Sequence, residues 1–176
     1  MREIEGKTPW LTLHVPCPLQ SETPLALLRR SRVTDKRDLY VRNNQDLEGH
    51  MVLAAAPEAW QVTVQRPGGA AARLSLADLK RLPYAETELV LQCAGNSRRR
   101  FAGASPVSGA PWGDGAVANV VFGGVRLADV LSEVGLERPN AHFLTARAAC
   151  SAAAADGRGP FERSVPLAEL EGALLA

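Results

Sequence analysis

A single cysteine joins an apolar run to a cluster of arginines, and this arrangement constrains the chain more than any other feature. Residues 87–92 read as a strand that ends directly before Cys93. Small, turn-forming residues follow, and then three arginines at positions 98–100. Positive charge beside a thiol favours the thiolate, which binds metals and attacks electrophiles, and guanidinium groups donate paired hydrogen bonds to oxyanions. The segment therefore predicts a functional site rather than part of a core.

The bulk composition indicates a globular domain with no general attraction to polyanions. A chain of 176 residues with a hydrophobic fraction of 46% corresponds to one domain with a substantial core. The net charge is +1, so no global field favours nucleic acid or a membrane surface. No apolar run approaches the roughly 20 residues that cross a bilayer, and the first seven residues do not form a secretory signal. By sequence alone we expect a cytoplasmic protein.

The cysteine pattern argues against a metal cluster or a disulfide framework. Cys17, Cys93 and Cys150 are widely spaced, and the chain contains no Cys-x-x-Cys pair. This excludes the usual zinc-ribbon and iron–sulfur spacings. We expect Cys17 and Cys150 to be small apolar residues.

Residue patterns predict short helices and strands in alternation, which indicates an α+β fold around one core. The pattern predicts a hairpin of residues 60–65 and 72–76 around Gly68 and Gly69, followed by an amphipathic helix over 75–82. The other predicted elements are an irregular arm (1–20), a helix opened by Ser21-Glu-Thr-Pro, strands at 38–42, 86–92 and 141–147, a loop (101–119), a helix (125–134), a flexible loop (148–159) and a short helix with a final apolar run (165–175).

The cysteine segment, residues 91–100 (Leu-Gln-Cys-Ala-Gly-Asn-Ser-Arg-Arg-Arg), resembles the metal-binding motif of the sulfite oxidase family of molybdenum enzymes. In that family, a Cys-Ala-Gly-Asn-Arg-Arg-like segment supplies the one protein thiolate that binds molybdenum. Further blocks resemble the family in the same order, at residues 22–28, 39–44, 112–116, 124–131 and 161–167. The resemblance implies a mixed-sheet, sulfite-oxidase-type molybdopterin-binding fold that occupies residues 1–176 as a single, partial domain.

The resemblance also implies a set of site residues. Cys93 would be the metal ligand, and Arg42 and Arg98 would bind and orient a small anionic substrate as catalytic residues, whereas Arg99 and Arg100 are expected to be surface charges. Trp112 either lines the substrate pocket or belongs to the core. The cofactor-binding residues would be Asn43, Asn44, Cys93, Gly95, Asn96, Gly115 and Asp156. Asn44 stands where the family commonly has histidine, and an amide cannot titrate near neutral pH.

The implied cofactor is molybdenum bound to molybdopterin, and the implied reaction is a two-electron oxo transfer to or from a small oxyanion such as sulfite. Related family members reduce nitrate or oxidised methionine. The chain contains no Cys-x-x-Cys-His haem motif. A cytochrome that accepts electrons would therefore be a separate partner. Bacterial members of the family are often periplasmic.

Two other interpretations remain open at this point. The sequence stops where the family would continue with further strands and a dimerisation domain, so we expect a truncated member. Such a chain would be an inactive remnant, or one chain of a split enzyme whose partner chain supplies the missing half. A thiol redox enzyme that uses Cys93 without metal is the third interpretation, although no resolving cysteine lies nearby.

Overall fold

The computed structural model describes residues 4, 6–43, 57–66, 68–105, 107–136, 141–148 and 161–176. The helices and strands in these ranges are β1 (Thr12–Pro16), β2 (Leu19–Glu22), α1 (Leu25–Leu28), β3 (Val41–Arg42), β4 (Gln61–Gln65), β5 (Ala71–Ser75), α2 (Leu76–Arg81), β6 (Tyr84–Gln92), β7 (Val117–Arg126), α3 (Leu127–Glu133), β8 (Phe143–Arg147), β9 (Glu162–Pro166) and β10 (Leu174–Leu175). Short 3₁₀ helices lie at Pro57–Ala59, Arg98–Phe101 and Leu167–Leu170. The architecture is α+β, as the sequence predicts, and is built from several small sheets.

The chain forms two compact units. The first unit consists of Met1–Leu47 and Glu88–Val121, and the second of Glu48–Thr87 and Phe122–Ala176. In the described part of the chain, no helix has the length and apolar character needed to cross a lipid bilayer.

The first unit contains the antiparallel sheet β1–β2–β3. Strand β2 lies in its centre, so that Gln20 pairs with Arg42 on β3. The Thr23 hydroxyl donates a hydrogen bond of 2.5 Å to the carbonyl of Asp38. Because this hydroxyl is engaged there, it does not cap α1, which begins after Pro24 without a side-chain cap. The helix predicted to open at Ser21-Glu-Thr-Pro therefore forms next to its proline, without a hydroxyl cap.

The second unit contains the predicted β4–β5 hairpin. Its strands pair antiparallel, with Val62 opposite Leu74, on either side of the glycine turn. Leu74 joins Leu79 of α2 in a buried cluster that Val125 and Val130 complete. The same unit holds the antiparallel pairs β8–β9 and β7–β10, and the sheet order is β10–β7–β6.

Helix α2 begins with a capping box that should make stability depend on pH. The backbone N–H and hydroxyl of Ser75 donate to Asp78 at 2.8 and 2.6 Å. These bonds, and then Arg81, lower the pKa of Asp78 to about 2 from its ordinary value of 3.8. A lowered folded-state pKa stabilises the protein above the unfolded pKa, and this contribution is lost as pH falls through the folded value.

We expect Asp78→Asn to lower the melting temperature at neutral pH, because the neutral amide loses the charge-assisted bonds but keeps the shape. The difference in melting temperature between this variant and the wild type should shrink as pH falls from about 4 towards 2, where Asp78 itself becomes neutral. Thermal unfolding followed by circular dichroism at a series of pH values measures this. A difference in melting temperature that stays constant down to pH 2 would contradict a stabilising role of the ionised Asp78.

The structure corrects the sequence predictions in three other places. The expected irregular arm over residues 1–20 contains β1 and the start of β2, with Pro16 at a strand end where proline is tolerated. The expected strand over 38–42 is reduced to Val41–Arg42. Strand β9 forms at Glu162–Pro166, where no strand was predicted. Of the predicted flexible loop over 148–159, residues 149–159 lie outside the described residues.

Strand β7 occupies the end of the predicted loop, the start of the predicted helix and the unassigned residues between them. Gly123 and Gly124 lie inside this strand, although a glycine pair usually marks a turn. Here they allow close packing inside a strand. A Cβ at Gly123 would overlap the Tyr84 hydroxyl, and one at Gly124 would overlap the carbonyl oxygen of Leu175. Glycine in a strand interior often marks such an approach.

Candidate active site

Cys93 lies in the first unit, directly after β6 and at the start of a tight turn. Its backbone N–H donates to the carbonyl of Ala116 at 2.9 Å, and its own carbonyl accepts from the N–H of Asn96 at 2.9 Å. The N–H of Gly95 points at the Cys93 Sγ at 3.4 Å. These contacts fix the half-buried thiol at the end of the strand, as the sequence predicts.

The thiol opens into a cavity of about 680 Å³. This volume lies within the range typical of small-molecule sites. Five residues singled out from the sequence line it: Arg42, Cys93, Gly95, Arg98 and Trp112. The wall is completed by Gln20, Tyr40, Leu91, Ala94, Gly109 and Ala110. The structure thus brings together a thiol and two guanidinium groups from distant parts of the chain.

The guanidinium group of Arg98 is held between two glycines. Its Nη1 donates to the carbonyl of Ala110 at 3.0 Å. A Cβ at Gly95 would lie 2.7 Å from Arg98 Nη2, and one at Gly109 would lie 2.6 Å from Nη1. Gly109 also has φ = +106°, a conformation that L side chains rarely adopt. Glycine is therefore needed on both sides for this arginine to occupy the cavity wall.

The other two arginines of the triplet do not line the cavity. Arg100 donates to both carboxylate oxygens of Asp114, at 3.0 and 2.5 Å, and its guanidinium lowers the pKa of Asp114. The Arg99 Nε donates to the carbonyl of Pro111 at 3.3 Å, and this side chain is 57% exposed. Both arginines are on the surface, as the sequence predicts, and they attach the short 3₁₀ helix to the loop at 110–116.

Ser97 adopts the left-handed conformation, with φ = 66°, between the turn and the 3₁₀ helix. A non-glycine residue there is held by its surroundings, and such residues cluster at functional sites. Its N–H donates to the carbonyl of Gly113 at 2.6 Å, and its hydroxyl donates to Asp114 Oδ1 at 2.7 Å. These bonds turn the chain so that Arg98, one residue later, faces the cavity.

Trp112 belongs to the core and also lines the cavity. It is 1% exposed and belongs to a buried cluster with Ala110 and Ala116, and it also contributes to the cavity wall. Its ring makes edge-to-face contacts with Tyr40 and His14, at centroid distances of 6.4 and 5.3 Å. Trp112 therefore forms part of the cavity wall while its ring is packed into the core.

A buried carboxylate holds the loop next to Trp112. Glu22 accepts a hydrogen bond of 2.5 Å from the N–H of Gly113. The Nε2 of His14, whose side chain is 4% exposed, lies 3.0 Å from Glu22 Oε2. The sequence analysis gave neither Glu22 nor His14 a role in the site, because the pairing of β1 with β2 is what brings them together.

Several predicted cofactor residues do not line the cavity. The Asn96 side-chain oxygen accepts from the N–H of Ala116 at 2.9 Å, which pins the turn to the start of β7. Asn43 lies next to Arg42, where its backbone pairs with Leu19. Gly115 packs against the Thr23 backbone. Asn44 and Asp156 lie outside the described residues. The cofactor roles of these five residues stay predictions.

We expect Gly115→Ala to destabilise the protein. The added Cβ would overlap the carbonyl oxygen of Thr23. The two residues are already close, because the Thr23 N–H donates a hydrogen bond of 3.1 Å to the Gly115 carbonyl. Backbone cannot move aside as a flexible side chain can, so the expected loss is about 1–3 kcal/mol in the free energy of unfolding. Chemical denaturation measures it. Gly103→Ala is the matched control, because nothing lies within 4 Å of a Cβ there, and equal stability of the two variants would contradict the prediction.

Tyr40 is one of the cavity residues to which the sequence analysis gave no role. A usable signal was present, because residues two apart on an extended chain point to the same side. Tyr40 and Arg42 have this spacing, and both line the cavity. Tyr40 and Cys93 also pack against the same buried cluster of Ala110, Trp112 and Ala116.

Comparison with known proteins agrees with this geometry. Residues 49–176 match the family described as oxidoreductase molybdopterin binding domain. Chicken (Gallus gallus) sulfite oxidase is 36% identical over 128 residues, which cover 72% of this chain and 27% of the relative. Arabidopsis thaliana sulfite oxidase is 32% identical over 134 residues, or 74% of this chain and 32% of the relative. A nitrate reductase (NADPH) of Mycosarcoma maydis is 33% identical over 116 residues, 65% of this chain and 12% of the relative.

A solved structure shares the fold. The sulfane dehydrogenase SoxCD from Paracoccus pantotrophus superposes with a TM-score of 0.59 at 20% identity, covering 93% of this chain and 38% of that chain. The protein belongs to the sulfite oxidase family of oxidoreductase molybdopterin-binding domains. Membership in this oxidoreductase family indicates a molybdenum cofactor. The chain spans about a quarter of the length of the curated relatives that it matches first.

The residues of the cavity fit such a cofactor. A soft thiolate suits a metal whose other ligands are soft sulfur donors, and Cys93 supplies one thiol at the cavity wall. Among the described residues, no group of three or more His, Cys, Asp or Glu side chains could hold a metal ion by itself. A metal that arrives with most of its own ligands needs only one protein ligand, which Cys93 would provide.

Proposed function

We propose that this chain is a molybdenum-cofactor oxidoreductase domain that carries out a two-electron oxo transfer on a small oxyanion such as sulfite. The observation that carries the proposal is the convergence of the Cys93 thiol with the guanidinium groups of Arg42 and Arg98 on one cavity. A thiol without the arginines would suit a metal but no anion. Two arginines without the thiol would suit an anion but no redox metal.

Each of these residues has a distinct task. The cofactor, when bound, supplies the two-electron chemistry that no side chain can perform. Cys93 would hold it through the thiolate. The neighbouring turn supports this role, because the N–H of Gly95 points at Sγ and a hydrogen bond to a thiolate stabilises its charge.

Arg42 and Arg98 would bind the oxyanion and orient it. The Arg98 guanidinium is fixed by Ala110 and flanked by Gly95 and Gly109, so little rotational freedom is lost when an anion binds. Arg42 is exposed at the end of β3, lines the same cavity and would supply the second guanidinium group. Leu91 and Ala110 add apolar surface to the cavity wall next to these charges.

Molybdenum content per chain tests the proposal. The full chain is produced in a host that makes the cofactor, purified in folded form, and analysed by elemental mass spectrometry. About one molybdenum per chain supports the proposal, and sulfite turnover with a cytochrome or an artificial electron acceptor is then assayed. Nitrate is the second substrate to try, because one relative is a nitrate reductase.

Folded chain without molybdenum would overturn the proposal for the chain on its own. The alternatives are then an inactive remnant, or one chain of a split enzyme that binds the cofactor with a partner chain. Adding candidate partner chains during expression and measuring molybdenum again separates these two. Redox activity in metal-free protein would instead favour a thiol enzyme that depends on Cys93.

A further inference from the structure

Tyr40 lines the cavity, and the proposed function assigns it no task. It precedes β3 and lines the cavity with Arg42, Arg98 and Cys93. Its ring is held edge-to-face by Trp112, with an interplanar angle of 80°, and it packs against the buried cluster that Trp112 shares with Ala110. The phenol is therefore positioned by its neighbours rather than free in solvent.

The Tyr40 hydroxyl is available to a ligand. No described residue forms a hydrogen bond with it, whereas the other tyrosine, Tyr84, donates to Glu86 at 2.8 Å. A tyrosine phenol carries its proton at neutral pH and can donate a hydrogen bond. A half-buried polar hydroxyl that lacks a protein partner gains most from a bound acceptor.

We propose that Tyr40 is an additional anion-binding residue, whose phenol donates a hydrogen bond to an oxygen of the oxyanion held by Arg42 and Arg98. The inference rests on the proposed function, because it deepens the description of the same anion site. A guanidinium pair neutralises charge over a broad region, whereas one O–H group fixes the direction of a single oxygen.

Tyr40 would accordingly contribute to selectivity. Sites that hydrogen-bond a substrate discriminate strongly against analogues that lack the matching group. A cavity with two arginines alone would accept many small anions by charge. With the Tyr40 hydroxyl it should prefer anions whose oxygens are strong hydrogen-bond acceptors, such as sulfite and sulfate, over weak acceptors of the same shape, such as perchlorate.

Calorimetric titration of the full chain with sulfate and with perchlorate tests the proposal, and needs no turnover. We expect Tyr40→Phe to weaken sulfate binding about 10-fold or more, the usual effect of a lost hydrogen bond to a charged group, and to leave perchlorate binding unchanged. Tyr84→Phe is the matched control. Tyr84 is 69% exposed and lies in the second unit, so its variant should bind both anions like the wild type.

The outcomes separate this inference from the proposed function. Sulfate binding that is equal in wild type and Tyr40→Phe would overturn the role of Tyr40 and leave the arginine site intact. Equal weakening of both anions would indicate a structural effect and would also overturn it. Wild-type chain that binds neither anion would overturn both the anion site and the inference. Selective loss of sulfate binding in a chain that fails to load molybdenum would support Tyr40 and count against the proposed function.

Discussion

Replacing Cys93 with serine should abolish turnover, which we expect to fall by more than about 100-fold. Mutation of groups that merely support a metal ligand already costs about 10- to 100-fold, and Cys93 is the ligand itself in the proposed site. Serine fits the same space but offers a hard oxygen with little tendency to ionise, which is a poor match for a metal that prefers sulfur donors. The pterin should remain partly bound, because the rest of the cavity is unchanged. Turnover, molybdenum content and pterin fluorescence measure the three effects.

Cys17→Ser is the matched control for this experiment. Cys17 is exposed and lies between β1 and β2, and it does not line the cavity. Its variant should keep the activity and molybdenum content of the wild type. Unchanged activity in Cys93→Ser would remove this thiol from the mechanism, whereas loss of activity in both variants would point to a general sensitivity to cysteine replacement.

Arg98→Met should lower kcat/KM by about 100- to 1,000-fold, the cost typical of removing one preorganised donor to a charged reacting group. Methionine approximates the aliphatic stem of the arginine but removes the charge and the hydrogen bond to the Ala110 carbonyl. Molybdenum content should stay near that of the wild type, since Cys93 and its turn are unaltered. Steady-state kinetics with sulfite, together with metal analysis of the same sample, measures both.

Arg99→Met isolates the effect of position within the arginine triplet. Arg99 follows Arg98 directly, yet it is largely exposed and does not line the cavity. We expect its kcat/KM to stay within about a factor of five of the wild type, because exposed charges contribute little. Comparable losses in the two variants would mean that overall positive charge matters here, and not the placement of the Arg98 guanidinium.

Much of the local structure could be predicted because it depends on neighbouring residues. The β4–β5 hairpin follows from alternating residues around a glycine turn, and α2 from apolar spacing after Ser75. The strand that ends at Cys93 follows from an apolar run cut short by small residues. The prediction failed at β7, where glycines that usually mark turns instead allow close packing against Tyr84 and Leu175. Such packing partners are not visible in a local window.

The candidate site also has features that the local sequence predicts and features that depend on the tertiary structure. The sequence by itself determined the chemistry: a thiol beside a turn, an arginine five residues later, and the family motif that joins them. Only the tertiary structure decided which groups share the cavity. Gly109 flanks Arg98, Glu22 holds the Gly113 backbone, and Tyr40, just before β3, lines the same cavity as Cys93. Turns and caps are set by contacts a few residues apart, whereas these side chains converge through long-range backbone pairing, such as the bond from Cys93 to Ala116, which no short stretch of sequence specifies.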